Sequence, residues 1–541
     1  MTENFPLLPG LWEYDRRGQV QAGRRYWADG TVVAGQQYEY GYDDIGNRTK
    51  ASSGGDGMGT NLRTAVSSSS LVNQLGSRQV PATVDVIGVA RGTVSVGVDA
   101  QSPVTAGYRK GEYFRQEVTA RASDAAAAYA AITVQVTTNG SGGTAGPFPL
   151  TQTGRVFVPV KNEVYSYDAD GNLTQDGRWT YSWDGENRLT NMVSMALPNN
   201  PPAGTPMRVS FRYDAQGRRI YKGVFTSTTS TTPAVEEKYV YDGWNLIAVL
   251  NGGGALQRRF VWGPDLSGSL QGAGGVGGLV AVVEAGGANA GGYFPAYDGN
   301  GNVAALVSAA SSAVSAVYEY GPFGEVIRCS GPLAKANPFR FSTKFQDDET
   351  DLLYYGYRFY NASSGRWPNR DPIQERGGIN LYAAFANYPI GVVDAYGLKT
   401  WKVGKCEILV VYGHGHQTKP PHDFKFGGAC SAGHFVGCYS RNVNGGIEEG
   451  HTVPGAPSTD EELLTGPGSS ADPDNSYAKH IADTQKAAEE LAKEMCKSGK
   501  CECKEIKITF RFGDPGGWAN PLNWGQSAYG DRSSTVKCDP K

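Results

Sequence analysis

Two aspartates in the second half of this chain have the neighbours that acid–base chemistry asks for. Asp371 sits in Arg370-Asp371-Pro372, with a guanidinium next to its carboxyl, and Asp394 follows Pro389 and stands four residues before Leu398. Two carboxyls held close together, one protonated and one ionised, can take a proton from water and hand one to a leaving group. Either aspartate could instead simply start a turn, as Asp-Pro often does. The remaining chemistry is segregated: all six histidines and seven of the eight cysteines lie after Leu398. There, Tyr412-Gly413-His414-Gly415 and Ala429-Cys430-Ser431 supply an imidazole and a thiol, the parts of a cysteine nucleophile whose proton a base draws off.

That His/Cys set has three readings. As a nucleophile, His414 and Cys430 resemble the His-Gly and Ala-Cys blocks of caspase-like peptidases, with a shorter separation. As a metal site, His414, His416, Cys430 and His434 (with His422 and Cys438) are ligand types, but Cys501-Glu502-Cys503 is not the Cys-x-x-Cys pair of structural zinc sites. As a plain domain, the thiols are buried or disulfide-bonded, with at least one left over in a monomer because seven is odd. No cofactor is expected.

The elements that must position Asp371 and Asp394 begin with repeats. Aromatic-Asp pairs followed by Gly or Asn recur: Tyr42-Asp43 with Gly46-Asn47, Tyr167-Asp168 with Gly171-Asn172, and Trp183-Asp184 with Gly185 and Asn187. Tyr213-Asp214 with Gly217, Tyr241-Asp242 with Gly243 and Tyr297-Asp298 with Gly301-Asn302 continue the series, and Tyr318-Glu-Tyr320-Gly-Pro-Phe323-Gly324 is a worn copy. Alternating aromatics place two rings on one face of a strand. Asp then bonds its own backbone, and Gly or Asn supplies a positive φ. Each unit reads as a β-hairpin, and since one hairpin cannot bury its face, the copies must share a sheet.

These residues resemble the tyrosine-aspartate (YD) repeats of RHS proteins, also found in teneurins and in the C components of insecticidal toxin complexes. The resemblance covers roughly residues 1 to 398 and implies a spiralling β-shell around a hollow. It lapses between about Pro81 and Val160, where alternating runs such as Thr83–Gly88, Gly92–Val98 and Ala131–Val136 lack Tyr-Asp pairs. That stretch reads as a small inserted β module with a structural role. The segment from Phe339 to Leu398, through Gly365-Arg366-Trp367, Arg370-Asp371-Pro372, Gly377-Gly378-Ile379-Asn380-Leu381-Tyr382, Asn387-Tyr388-Pro389 and Asp394-Ala395-Tyr396-Gly397-Leu398, resembles the RHS-repeat-associated core. In that family the core plugs the shell and the chain is cut after the final leucine. The implied assignment is aspartyl-type self-cleavage of Leu398-Lys399 by Asp371 and Asp394, with Arg370 tuning their charge. This sequence departs from the family pattern at Asp394-Ala395, where Asp-Pro is usual, and at Asn387-Tyr388-Pro389, where Asn-Asn-Pro is usual.

The expected fold is therefore mainly β. It comprises shell 1–80, inserted module 81–160, shell 161–338, core plug 339–398 and a small α/β or α+β domain 399–541. In the last part, strands are predicted at Cys406–Tyr412 and Cys503–Phe512, with a helical pattern between Asn475 and Lys497. Net charge is −3 with no long run of one sign, so nothing electrostatic points to nucleic acid. No stretch is long and apolar enough to span a membrane, and no basic-then-apolar signal opens the chain. The resemblance implies a shell that encloses or presents a variable C-terminal effector, a polymorphic toxin exported by a specialised route and cytoplasmic before that. Its partners would be a cognate immunity protein and the remaining N-terminal shell, because about 320 residues of shell are short for the task. The alternative is a cell-surface, glycan-binding or adhesion-type repeat protein with an inert tail.

Overall fold

The computed structural model describes residues 11–137, 150–195, 201 and 204–398. Beyond them it describes five strands, Thr400–Lys402, Cys406–Gly413, Phe435–Ser440, Glu505–Gly513 and Arg532–Lys537, and the helical residues Glu489 and Lys493. The chain divides into two units, Met1–Thr400 and Trp401–Lys541. The fold is mainly β, the class that the repeats lead one to expect.

The repeat turns are built by their aspartates. Asp214 Oδ1 accepts the backbone N–H of Gln216 at 3.0 Å and of Arg218 at 2.9 Å, and Gly217 takes the left-handed position at φ +81°. Asp43 does the same with Ile45 and Asn47, and Asp298 with Asn300 and Asn302. At Asp184 the left-handed residue is Asn187, φ +58°, one of the few side chains that tolerates it. Asp242 departs from the pattern: it pairs with Asn245 across a two-residue turn.

The aromatic that closes a strand just before its turn links one repeat to the one before it. Tyr213 Oη donates to the Leu189 carbonyl at 2.6 Å, Tyr241 Oη to Arg219 at 2.9 Å and Tyr320 Oη to Val303 at 2.7 Å, while Trp262 Nε1 reaches Leu246 at 2.7 Å. Leu189 and Arg219 lie beyond the last paired residues of their ladders, Asn191 with Ser210 and Tyr221 with Lys238. The strands splay there, a ring fills the gap, and its polar tip satisfies a carbonyl that the ladder has abandoned.

Fourteen strands from Ser166–Tyr167 to Val326–Ser330 form one sheet whose order follows the chain. A seven-stranded sheet begins at Leu11–Tyr14, runs to Leu75–Gln79 and ends with Asn162–Val164, which pairs antiparallel with Leu75–Gln79. Between those last two strands, the chain from Thr83 to Val158 makes sheets of three and four strands around Val94, Val96, Val98, Phe114 and Val118.

The inner face of the fourteen-stranded sheet and the segment from Leu333 to Val392 share one core. Trp179, Leu189, Val209, Phe211, Val249 and Val282 come from the sheet; Leu353, Tyr360, Trp367 and Phe385 come from the segment. Aromatic rings dominate, with edge contacts such as Tyr360 on Phe385 at 5.0 Å and Tyr355 on Trp367 at 5.2 Å, each worth roughly 0.5–1.5 kcal/mol beyond area burial. Arg219 of the sheet meets Asp347 of the segment, both fully buried, and Lys222 adds a second cation at 3.2 Å. A charge pair this deep costs desolvation, so its value is in matching one sheet position to one segment position.

In the second unit, the strands lie in the order Phe435–Ser440, Cys406–Gly413, Glu505–Gly513, Arg532–Lys537. The central two run parallel, Val410 opposite Phe510, and the outer two are antiparallel. A parallel pair needs a crossover, and the helical residues Glu489 and Lys493 fall inside it.

Candidate active site

Asp394 ends the strand Val392–Asp394 and opens the turn that leads to Leu398. Its Oδ1 accepts three backbone N–H groups, from Tyr396 at 3.1 Å, Gly397 at 2.6 Å and Leu398 at 3.0 Å, and Gly397 sits at φ +76°. The carboxyl is 2% exposed. Burial raises its pKa, and Arg358, the turn N–H groups and Lys344 only partly offset this.

Asp371 precedes a proline, which biases it toward an extended conformation. Its Oδ1 accepts the Ile373 N–H at 3.0 Å and its Oδ2 accepts Arg358 Nη2 at 2.7 Å. Burial raises this pKa too, against the pull of Arg358.

Arg358 ties the two aspartates together. Beyond its bond to Asp371, its Nε donates to the Gly397 carbonyl, inside the Asp394 turn, and its Nη1 to Leu381 at 3.2 Å. The guanidinium lies over Trp367 at 4.3 Å. Burial lowers its pKa, while the charges of Asp371 and Asp394 hold it up. A planar fork with several donors suits this bridging task; a lysine could not hold all three contacts in one plane.

The Leu398 carbonyl, on the bond that a cut after Leu398 would break, lies close to Asp371. A Cβ placed on Gly377 would lie 2.4 Å from Asp371 Oδ2 and 2.9 Å from the Leu398 carbonyl oxygen. Only glycine leaves that gap open, so Gly377 keeps a carboxyl and the Leu398 carbonyl facing one small space.

Lys344 completes the surroundings. Its ammonium donates to the Ala395 carbonyl at 2.6 Å and the Gly274 carbonyl at 2.7 Å. Burial pushes its pKa down to about 8, with Asp394 and Asp265 acting in the opposite direction.

Of the residues singled out from sequence, Asp371 and Asp394 are thus both tied to Arg358. Arg370 lies elsewhere: a Cβ on Gly171 would come within 2.5 Å of its Nε and of the Tyr382 hydroxyl. The guanidinium that meets Asp371 belongs to Arg358. Sequence reasoning passed over Arg358 and Lys344. Their signal was a lone cation inside an aromatic run, Tyr357-Arg358-Phe359-Tyr360 and Phe341-Ser342-Thr343-Lys344-Phe345, where burial demands a partner. His414, His416, Cys430 and His434 lie outside the described residues, as does most of the predicted helix.

Comparison with known proteins finds sequence similarity to bacterial toxin proteins. Over 254 residues, 46% of this chain and 10% of the relative, the chain is 29% identical to the tRNA3(Ser)-specific nuclease WapA of Bacillus spizizenii. It is 28% identical over 249 residues to double-stranded DNA deaminase toxin A of Burkholderia cenocepacia, covering 43% of this chain and 17% of that one. It is 26% identical over 284 residues to toxin protein Tse5 of Pseudomonas aeruginosa, covering 47% and 20%. The chain therefore spans a tenth to a fifth of the length of these relatives. Among solved structures, the TcdB2-TccC3-Cdc42 crystal structure aligns with 72% of this chain and 18% of that one, at 15% identity and a TM-score of 0.35. No family model matches the chain. The chain is similar to toxin proteins, and among the described residues no helix is long and apolar enough to cross a membrane.

Proposed function

We propose that this chain is a toxin-bearing YD-repeat protein of the RHS type that cuts itself between Leu398 and Lys399. The observation that carries the reading is the gap at Gly377, bordered by an Asp371 carboxyl oxygen and the Leu398 carbonyl oxygen, with Arg358 joining Asp371 to the Asp394 turn. Burial raises the pKa of both carboxyls, and the cut asks that one be ionised and the other protonated. In the cutting step, the ionised member takes a proton from water as its oxygen adds to the Leu398 carbonyl carbon. The protonated member hands its proton on as the C–N bond to Lys399 breaks, so the amine leaves neutral and the pair is one-protonated again. Arg358 orients Asp371 and holds the Gly397 carbonyl of the Asp394 turn. The Asp394 turn places Leu398 by gripping its own N–H.

Expression followed by intact-mass measurement tests this. The expected result is two fragments meeting at Leu398-Lys399, with Asp371→Asn and Asp394→Asn each leaving the chain whole. An uncut wild-type chain with a normal melting transition would sink the reading.

The part released is the C-terminal unit, which we read as the variable effector. Support comes from the relatives, which are toxins of different stated activities, and from the division of the chain near Thr400. Producing residues 399–541 inside a host cell should arrest growth, and an inert tail of an adhesion-type protein should not. If Cys430→Ala and His414→Ala both leave the arrest intact, the thiol reading of the effector fails. A cognate immunity protein, the rest of the shell, and export by a specialised route belong to the same proposal.

A further inference from the structure

Lys344 is buried, 6% exposed, and its ammonium donates to two backbone carbonyls rather than to a carboxylate. Two carbonyls could be held by a neutral donor at far lower desolvation cost. A charge is worth burying there only if something nearby answers to it. The acids that face it are Asp394, in the turn whose Ala395 carbonyl it holds, and Asp265, in the repeat loop whose Gly274 carbonyl it holds. Asp265 is already engaged, accepting the N–H groups of Ala273 at 2.7 Å and Gly275 at 3.1 Å through Oδ2. Arg358 faces Asp394 as a second cation, and the Tyr355 ring lies 5.2 Å from the ammonium.

The two carbonyls come from different parts of the fold. Gly274 belongs to a loop of the fourteen-stranded sheet, between Leu256–Trp262 and Leu279–Glu284. Ala395 belongs to the turn before Leu398. The contact is tight enough that a Cβ on Gly274 would sit 1.9 Å from the Ala395 carbonyl oxygen, and Gly274 is at φ +64°. Side chains other than hydrogen are excluded there on both counts.

Building on the self-cleavage reading, we propose that Lys344 is a positioning residue for the cut: it pins the Asp394 turn to the sheet loop at Gly274 and holds a positive charge against Asp394. The site is then complete only once the core segment has docked on the repeat sheet, so cutting waits for the shell to fold. The charge favours the ionised form of Asp394, so losing it moves the carboxylate limb of the rate profile to higher pH.

The test follows the fraction of chain cut over time across a pH series for the wild type, Lys344→Gln and Lys344→Arg, with melting curves to establish folding and Asp371→Asn as the uncut reference. Gln keeps a donor for the carbonyls without the charge; Arg keeps both. The expected result is cutting slowed at least tenfold in Lys344→Gln, with its acid limb displaced upward in pH, and a limb near the wild-type position in Lys344→Arg. Wild-type rates and profile in Lys344→Gln overturn the proposal. So does equal slowing of both folded variants with the limb unmoved, which marks a purely structural contact. A wild type that is never cut removes the self-cleavage reading and this assignment together; a cut wild type beside an indifferent Lys344→Gln removes only the assignment.

Discussion

The turn at Asp214 and the turn at Asp394 have the same local structure and opposite electrostatics. In both, Asp Oδ1 accepts the N–H groups two and four residues on, and a glycine three residues on adopts positive φ. Asp394-Ala-Tyr-Gly397-Leu398 is in effect one more repeat turn, moved into the interior. At Asp214, partial burial raises the carboxyl's pKa, but the Arg218 N–H and guanidinium outweigh it and the net shift is downward. At Asp394, burial outweighs three N–H donors and two nearby cations, and the net shift is upward. Desolvation shifts the pKa of the same kind of turn-making carboxyl upward instead of downward. The same sequence device thus builds the shell many times and, once, a candidate reactive group.

Substitutions that separate the two turns give the largest effects. Asp394→Asn keeps an acceptor for the three N–H groups but cannot ionise, so self-cleavage should fall by about a thousandfold or more, read by intact mass. Asp214→Asn, the matched change, should leave cleavage at the wild-type rate; if the two behave alike, the contrast between the turns is wrong. Next in size is the link between sheet and core. Arg219→Met leaves the fully buried Asp347 with Lys222 as its remaining cation and should destabilise the fold by up to roughly 3–5 kcal/mol. The neighbouring, partly exposed pair Arg218–Asp214 should be worth no more than about 1 kcal/mol when Arg218→Met breaks it. Denaturant titrations of the two variants compare them directly.

The pH dependence of stability should also have opposite signs. Asp214 has a lowered folded pKa, so its contribution is present above the unfolded pKa and is lost as pH falls through the folded one. Asp394 has a raised folded pKa, so its contribution is fully present below the unfolded pKa and is lost as pH rises through the folded one. Melting temperatures of Asp371→Asn and of Asp371→Asn with Asp394→Asn, both uncut, should therefore draw apart as pH rises, with the double variant the more stable. Curves that stay parallel would remove the desolvation argument. Smallest is Tyr213→Phe, which uncaps the Leu189 carbonyl and should cost about 1 kcal/mol without touching cleavage.

Much of this fold was legible because repeat turns are local. Asp, Gly and Asn within five residues settle a hairpin wherever it sits, and Asp43, Asp214 and Asp298 all do what their neighbours in sequence dictate. The tie between Asp371 and the Asp394 turn was legible only in part. Arg370 looked like the partner of Asp371 because it is adjacent in the chain. Adjacent side chains on a locally extended backbone diverge, and Arg370 turns toward Gly171 while Asp371 turns toward Arg358. Arg358 is 13 residues from Asp371 in sequence, and no local rule couples them. Gly377 read as part of a glycine pair, with nothing to say that it spaces Asp371 from the Leu398 carbonyl.

By itself, the sequence determined the β class, the hairpin turns, and an aspartate with a glycine three residues on just before Leu398, since each rests on preferences that act within a few residues. Only the tertiary structure decided which aspartates are dry, which arginine bridges Asp371 to the Asp394 turn, and that Gly274 and Lys344 clamp the turn at Ala395. Those facts depend on desolvation and on contacts between residues far apart in the chain, and both exist only after the core segment has packed against the sheet.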